Sequence, residues 1–172
     1  MKCISLFCGV GGFDLALDRL GHECVYANDF DKYCKLVYDK NFKQKMHLED
    51  ITKVDVMAIP DHDLLVGGFP CPAFSIAGRR KGFEDLRGQL IYDILRILRA
   101  KKPKMFLLEN VPGLLSHDDG KSMEIICEEL CESGYAVDFD LLNSKNFSVA
   151  QSRLRVFIVG KRLDTLSQDE II

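Results

Sequence analysis

Two side chains in this sequence stand where covalent chemistry can be done. Cys71 lies in Phe69-Pro70-Cys71-Pro72, at the end of the apolar run Leu64 to Gly68 and just ahead of Arg79, Arg80 and Lys81. A thiol at a strand end, near basic residues, is placed to be exposed and to be held as the thiolate, which is the nucleophilic form. Glu109 follows the wholly apolar Met105 to Leu108 and opens Glu109-Asn110-Val111. A carboxyl group in so apolar a setting keeps its proton more readily, as a proton donor requires. A thiol nucleophile with a proton-sharing carboxyl is a specific pair, though several reactions use it.

A second group of residues fits a ligand. Phe7-Cys8-Gly9-Val10-Gly11-Gly12-Phe13 is a glycine loop after an apolar run. Glycines let the backbone turn tightly and approach a ligand closely, but this spacing is not the G-x-G-x-x-G dinucleotide pattern. Further on, Asn28-Asp29-Phe30 closes the next apolar run, where an acid can hydrogen-bond ribose hydroxyls and an aromatic ring can stack on adenine. An adenosine-containing ligand follows. At this step a nicotinamide cofactor, and hence a dehydrogenase, remains open.

The elements that must hold these residues alternate in type. Strands are expected at Cys3–Phe7, Cys24–Asn28, Met46–Leu48, Leu64–Gly68, Met105–Leu108, Ala136–Leu142 and Leu154–Val159. Helical spacing covers Phe13–Leu20, Asp31–Tyr38, Gly88–Ala100 and Ser122–Glu132, with Gly21 and Gly134 as stops. Such alternation predicts an α/β fold with a mostly parallel sheet and helices on both faces. The last two strands lack a crossover helix and should form an antiparallel hairpin at one edge. In open α/β sheets, ligands bind beyond the carboxyl ends of the strands, and all four polar sites fall there. One domain over 1–161 with a short polar tail, 162–172, accounts for the chain.

Bulk properties bound the function. The 172 residues are 47% apolar and 28% charged, an ordinary globular composition. No apolar run reaches the roughly 18 residues of a membrane span, and the glycines and Asp14 near the N-terminus do not fit a signal peptide. The 7 cysteines are scattered rather than framed, as expected in a reducing compartment, so a cytoplasmic location is expected. Cys127 and Cys131 share one helix face but lack a second ligand pair, so no metal site is expected. Net charge is -3, yet Arg79, Arg80, Lys81 and Arg87 form one basic cluster and Arg153, Arg155, Lys161 and Arg162 another. Local basic patches can contact phosphates on an acidic chain.

Taken together, FCGVGGF, Asp29-Phe30, GGFPCPAFS, ENV and QSRLR stand in the order and spacing of the cytosine-C5 DNA methyltransferase family, which the sequence resembles over residues 2 to 161. DKY, PDHD and GFEDLRG resemble its bacterial restriction-modification members. The resemblance implies a Rossmann-like fold that binds S-adenosyl-L-methionine through Phe7, Gly9, Val10, Gly11, Gly12, Asp29, Phe30, Asp50, Ile51 and Leu90. It implies that Cys71 attacks C6 of a cytosine flipped from double-stranded DNA, that Glu109 hydrogen-bonds the N3 and N4 edge, and that Arg155 with Arg153 holds O2. The segment 75–87 resembles a mobile loop that closes over DNA.

Two features depart from the family pattern. Pro72 stands where glutamine is most common, which removes an N–H and fixes φ. Family members also carry a target-recognition domain and a closing segment, for which these 172 residues leave no room; a split enzyme that takes them from a second polypeptide is expected, with a truncated enzyme and a degenerate relic as the alternatives. A tRNA cytosine-5 methyltransferase would use the same Cys71 and Glu109, and a non-catalytic cofactor- or partner-binding subunit would keep the fold alone.

Overall fold

The computed structural model describes residues 1–70 and 90–167. Cys71, Pro72, the basic cluster at 79–87 and the segment 75–87 lie outside the described residues.

Among the described residues, seven strands form one sheet: β1 (Lys2–Leu6), β2 (Glu23–Asp29), β3 (Met46–Leu48), β4 (Leu64–Gly68), β5 (Met105–Asn110), β6 (Tyr135–Asn143) and β7 (Leu154–Arg162). Their order is β3-β2-β1-β4-β5-β7-β6. The first five run parallel, while β7 is antiparallel to both β5 and β6. The order therefore reverses between β1 and β4, and the crevice at their carboxyl ends is the natural ligand position.

The helices are α1 (Gly12–Arg19), α2 (Lys32–Asn41), α3 (Ile91–Lys101), α4 (Gly113–Ser116) and α5 (Lys121–Glu132). Asp31 starts α2 by accepting from the backbone N–H groups of Tyr33 and Cys34 at 2.7 and 3.3 Å, the usual N-cap arrangement. In α3, Ile91, Ile94, Leu95, Ile97 and Leu98 are all buried, so its apolar stripe is wide enough to face a core. The expected start of this helix at 88 and 89 lies outside the described residues.

The larger core lies on one face of the sheet, where Ile4, Leu6, Leu65, Phe106, Leu108, Val156 and Ile158 meet side chains of α3 and α5. On the opposite face, Phe13 and Leu17 of α1 pack on Cys3, Leu64 and Val66. Tyr38 of α2 packs on Ala27 and Met46 nearby. The expected α/β class, helices on both faces and antiparallel edge hairpin are what the structure has.

Differences from expectation are local. β5 continues through Glu109 and Asn110, because those residues pair with Phe157 and Val156 of β7. The region 42–62 holds two single 3-10 turns, Ile51–Lys53 and Val56–Ala58, capped by Asp50 and Asp55. Elements this short have no periodicity to read.

Candidate active site

The glycine loop leaves β1 through three left-handed positions: Phe7 at φ 53, Gly9 at φ 54 and Gly11 at φ 93. Gly11 caps α1, and a Cβ there would overlap the ring of Phe42, so the glycine is needed for both conformation and space. Asp29, ending the neighbouring β2, braces the loop. Its Oδ2 accepts from Gly9 N–H and its Oδ1 from Asp31 N–H, each at 2.9 Å. A carboxylate has about four lone-pair sites, so both oxygens retain capacity for a ligand.

Beyond the ends of β1 and β2 lies a cavity of about 230 Å³, lined by Phe7, Asn28, Asp29, Phe30, Glu49, Asp50, Ile51 and Leu90. Six of the ten expected cofactor residues are among these. Gly9, Val10, Gly11 and Gly12 do not line it; they form the adjoining loop. Phe30 is 72% exposed, which leaves its ring available for stacking. Asp50 accepts from Thr52 N–H at 3.1 Å and Thr52 Oγ1 at 2.8 Å. These hydrogen bonds hold its carboxyl below the usual range.

One wall depends on a residue that sequence reading missed. Arg96 of α3 donates to the carbonyls of Val54 and Ile51, both at 2.9 Å, tying the Asp50–Ile51 turn to the helix that begins beside Leu90. Asn28 and Glu49 were missed as well, although each adjoins an expected residue. Asn28 donates to the carbonyls of His47 and Glu49 at 3.3 and 2.9 Å, fastening β2 to the cavity's outer wall.

The second cluster lies at the ends of β4 and β5. Glu109 is opposite Gly68 in register, and a Cβ on Gly68 would stand 3.1 Å from Glu109 Oε2. Arg155 Nε meets Glu109 Oε1 at 2.6 Å, with the two side chains 21% and 23% exposed. The setting of Glu109 is thus less apolar than its strand implied, because β7 brings a guanidinium beside it. Arg153 is exposed, and its backbone is tied down at both ends: its N–H donates to Asn143 Oδ1 at 3.0 Å and its carbonyl accepts from Ser144 N–H at 3.1 Å. Buried Asn110 donates to the carbonyl of Phe69 at 3.1 Å. That bond fixes the exit of β4 two positions ahead of Cys71.

Among the described cysteines, burial pushes the Cys3 thiol up to about 11 and that of Cys24 up to about 12, with Cys8 raised further. Such thiols are poor nucleophiles. Also among the described residues, no three His, Cys, Asp or Glu side chains group as a metal site. No described helix is long and apolar enough to cross a membrane. Two larger cavities, of about 520 and 550 Å³, lie away from these strand ends, against α5 and between α1 and α2. Strand polarity therefore singles out the smaller one.

The family model described as C-5 cytosine-specific DNA methylase matches residues 1–170. The chain belongs to that family. It is 47% identical over 164 residues to the type II methyltransferase M.HhaI of Haemophilus parahaemolyticus, covering 95% of this chain and 50% of that protein. It is likewise 47% identical over 159 residues to M.NgoBI of Neisseria gonorrhoeae, covering 92% and 50%. This C-5 methylase chain therefore spans about half the length of these relatives. Its fold is that of S. pombe Dnmt2 methyltransferase, with a TM-score of 0.79 at 24% identity over 97% of this chain and 52% of that one. A putative DNA modification methyltransferase of an E. coli prophage superposes with a TM-score of 0.80 at 24% identity, covering 98% and 49%. The methyl donor of the C-5 methylase family is S-adenosylmethionine.

Proposed function

We propose that this chain is the cofactor-binding and catalytic part of an enzyme that methylates C5 of cytosine in double-stranded DNA through a covalent Cys71 adduct. The observation that carries the reading is the joint placement of two sites along one sheet edge. The Asp29–Phe30 cavity lies at one, and the Glu109–Arg155 pair, beside the strand leading to Cys71, lies at the other.

Cytosine C5 is a weak nucleophile. Addition of the Cys71 thiolate to C6 breaks the ring's aromaticity and makes C5 enamine-like, dividing one hard step into easier ones. Glu109 hydrogen-bonds the N3 and N4 edge, and Arg155 fixes the Glu109 carboxylate while its remaining N–H groups face the base's O2. Arg153, two positions earlier on the connection from β6, is assigned the same base-facing role without a part in the ion pair. Phe30 stacks on the adenine of S-adenosylmethionine, Asp29 accepts from its ribose, and the loop Gly9–Gly12 carries the remainder. That division suits a cavity below the roughly 300 Å³ of most complete ligand pockets. When bound, the cofactor supplies the methyl group. Loss of the C5 proton and departure of the Cys71 thiolate then restore the ring.

The target carbon is inaccessible in a stacked duplex, so the cytosine must be flipped out at a cost of about a few kcal/mol. The recognition and closing parts of the enzyme are assigned to the half of the family's length that this chain does not span.

Transfer of labelled methyl to genomic DNA and to bulk tRNA, with Cys71→Ala as control, tests the reading. Cysteine-dependent label in DNA is the expected result once the remaining half is supplied. Label in DNA from these 172 residues alone overturns the need for the remaining half, and label confined to tRNA overturns the DNA substrate. Label that persists in Cys71→Ala overturns the nucleophile. S-adenosylhomocysteine should raise the melting temperature by mass action, whereas NAD should not.

A further inference from the structure

Behind the glycine loop, on the side away from the cofactor cavity, three buried polar side chains converge. Asp14, in the first turn of α1, is 2% exposed. Its Oδ2 accepts from Ser5 Oγ of β1 at 2.8 Å, and its Oδ1 accepts from Tyr38 OH of α2 at 2.6 Å. Tyr38 is fully buried. One turn further along α2, Phe42 lies where a Cβ on Gly11 would be, and the Tyr38 and Phe42 rings are 4.5 Å apart. None of these residues lines the cofactor cavity.

We propose that Asp14 and Tyr38, joined by Ser5, are positioning residues for the S-adenosylmethionine site, setting the glycine loop through α1. The proposal rests on the cofactor reading above. Burying a carboxylate is costly unless its oxygens are matched, so an apolar trio would hold α1 to the sheet at less expense. The apolar contacts of Phe13 and Leu17 already do so. What a carboxylate with two O–H donors adds is direction. Bonds to β1 on one side and α2 on the other fix both the rotation of α1 and its advance along the sheet. The loop ends in Gly11, the cap of α1, so its course follows that setting. Phe42 then closes the position from outside, and Asp29 holds Gly9 from the far side. Thus α2 shapes the loop through Tyr38 and Phe42, which stand outside the cofactor cavity.

The test compares two hydroxyl deletions in the full chain. Tyr38→Phe keeps the ring and its contact with Phe42 but removes the donor to Asp14. Tyr135→Phe removes a similarly buried hydroxyl that donates to Pro103 O at 2.8 Å, remote from the loop. With only 13 glycines, selective ¹⁵N-glycine labelling gives a spectrum in which Gly9, Gly11 and Gly12 can be followed singly. Titration with S-adenosylhomocysteine is done where all variants are folded.

Tyr38→Phe should move those three resonances and weaken binding about tenfold, the effect of losing one charge-assisted hydrogen bond. Tyr135→Phe should do neither at a comparable loss of melting temperature. Ser5→Ala should repeat the Tyr38→Phe pattern more weakly. Unmoved loop glycines in Tyr38→Phe, or equal weakening by Tyr135→Phe, overturns the proposal. A wild-type chain that fails to bind S-adenosylhomocysteine counts against the cofactor reading instead, and the glycine resonances still decide the positioning role.

Discussion

The two halves of the sheet are built differently. In β1, Cys3, Ile4, Ser5 and Leu6 are each fully buried, and in β4 Leu65 and Val66 are as well. Both faces there are covered, one by α3 and α5 and the other by α1. In β5 and β7 burial alternates instead. Phe106, Leu108, Val156 and Ile158 are buried, whereas Met105 is 37% and Val159 42% exposed. Parallel strands enclosed on both faces are the rule in α/β folds, and β7 departs from it as an antiparallel strand. The cofactor cavity thus hangs on the closed half, while Glu109 and Arg155 project from the open face of the other. On the function proposed above, a rigid frame is given to the small ligand, and the pair assigned to the base stands on the more accessible surface.

Substitutions can break or sharpen this contrast. The largest effect belongs to the face that both halves share. Leu108→Ala should cost about 2–5 kcal/mol in urea unfolding, since it leaves a cavity in the main core. Next, Val66→Ala beneath α1 should cost about 2 kcal/mol, from two lost methyl groups and an imperfectly closed void. A smaller effect appears in the pH dependence at the start of β4. His62 donates through Nδ1–H to Pro60 O at 2.8 Å, and its Nε2 is buried without a partner among the described residues. Burial, the main cause, holds its pKa below the ordinary 6.5. The unfolded chain then binds this proton more readily. Stability is full above 6.5 and falls as the pH drops from there toward the folded value. Melting temperatures from pH 8 to pH 5 should show this loss, and His62→Leu should flatten it. The smallest effect is Val159→Ala, the same change as at Val66 on the same face, which should stay within about 0.5 kcal/mol because the site is exposed. If the two valines cost alike, the halves do not differ as described.

This contrast also explains what the sequence revealed. β3 and β4 were legible to the residue, β4 because a strand buried on both faces reads as an unbroken apolar run between polar flanks. The lining of the cavity beyond β1 and β2 was legible in Asp29, Phe30, Asp50 and Ile51, which sit beside strand ends or a cap. The Glu109–Arg155 pair was not, although both residues had been singled out. It exists only because β7 lies antiparallel against β5 with Glu109 opposite Phe157, and register between distant strands leaves no local mark. Asp14 was hidden for a similar reason. Its partners are supplied by β1 and α2, and a lone acid in a helix's first turn looks like ordinary dipole complementarity. Asn110 escaped because its amide is matched across strands, to Phe69 O.

The insertion of β7 between β5 and β6 has a temporal meaning. As the chain is synthesised, the first five strands can assemble in parallel, each beside one already made. β6 cannot join them, because its only partner among the described strands is β7. It must wait, unpaired, until residues 154–162 have emerged, and Glu109 waits with it for its counter-ion. The half that holds the Asp29–Phe30 cavity can therefore mature while the ribosome is still working, whereas the Glu109–Arg155 pair is assembled last, by the closing strand of the sheet.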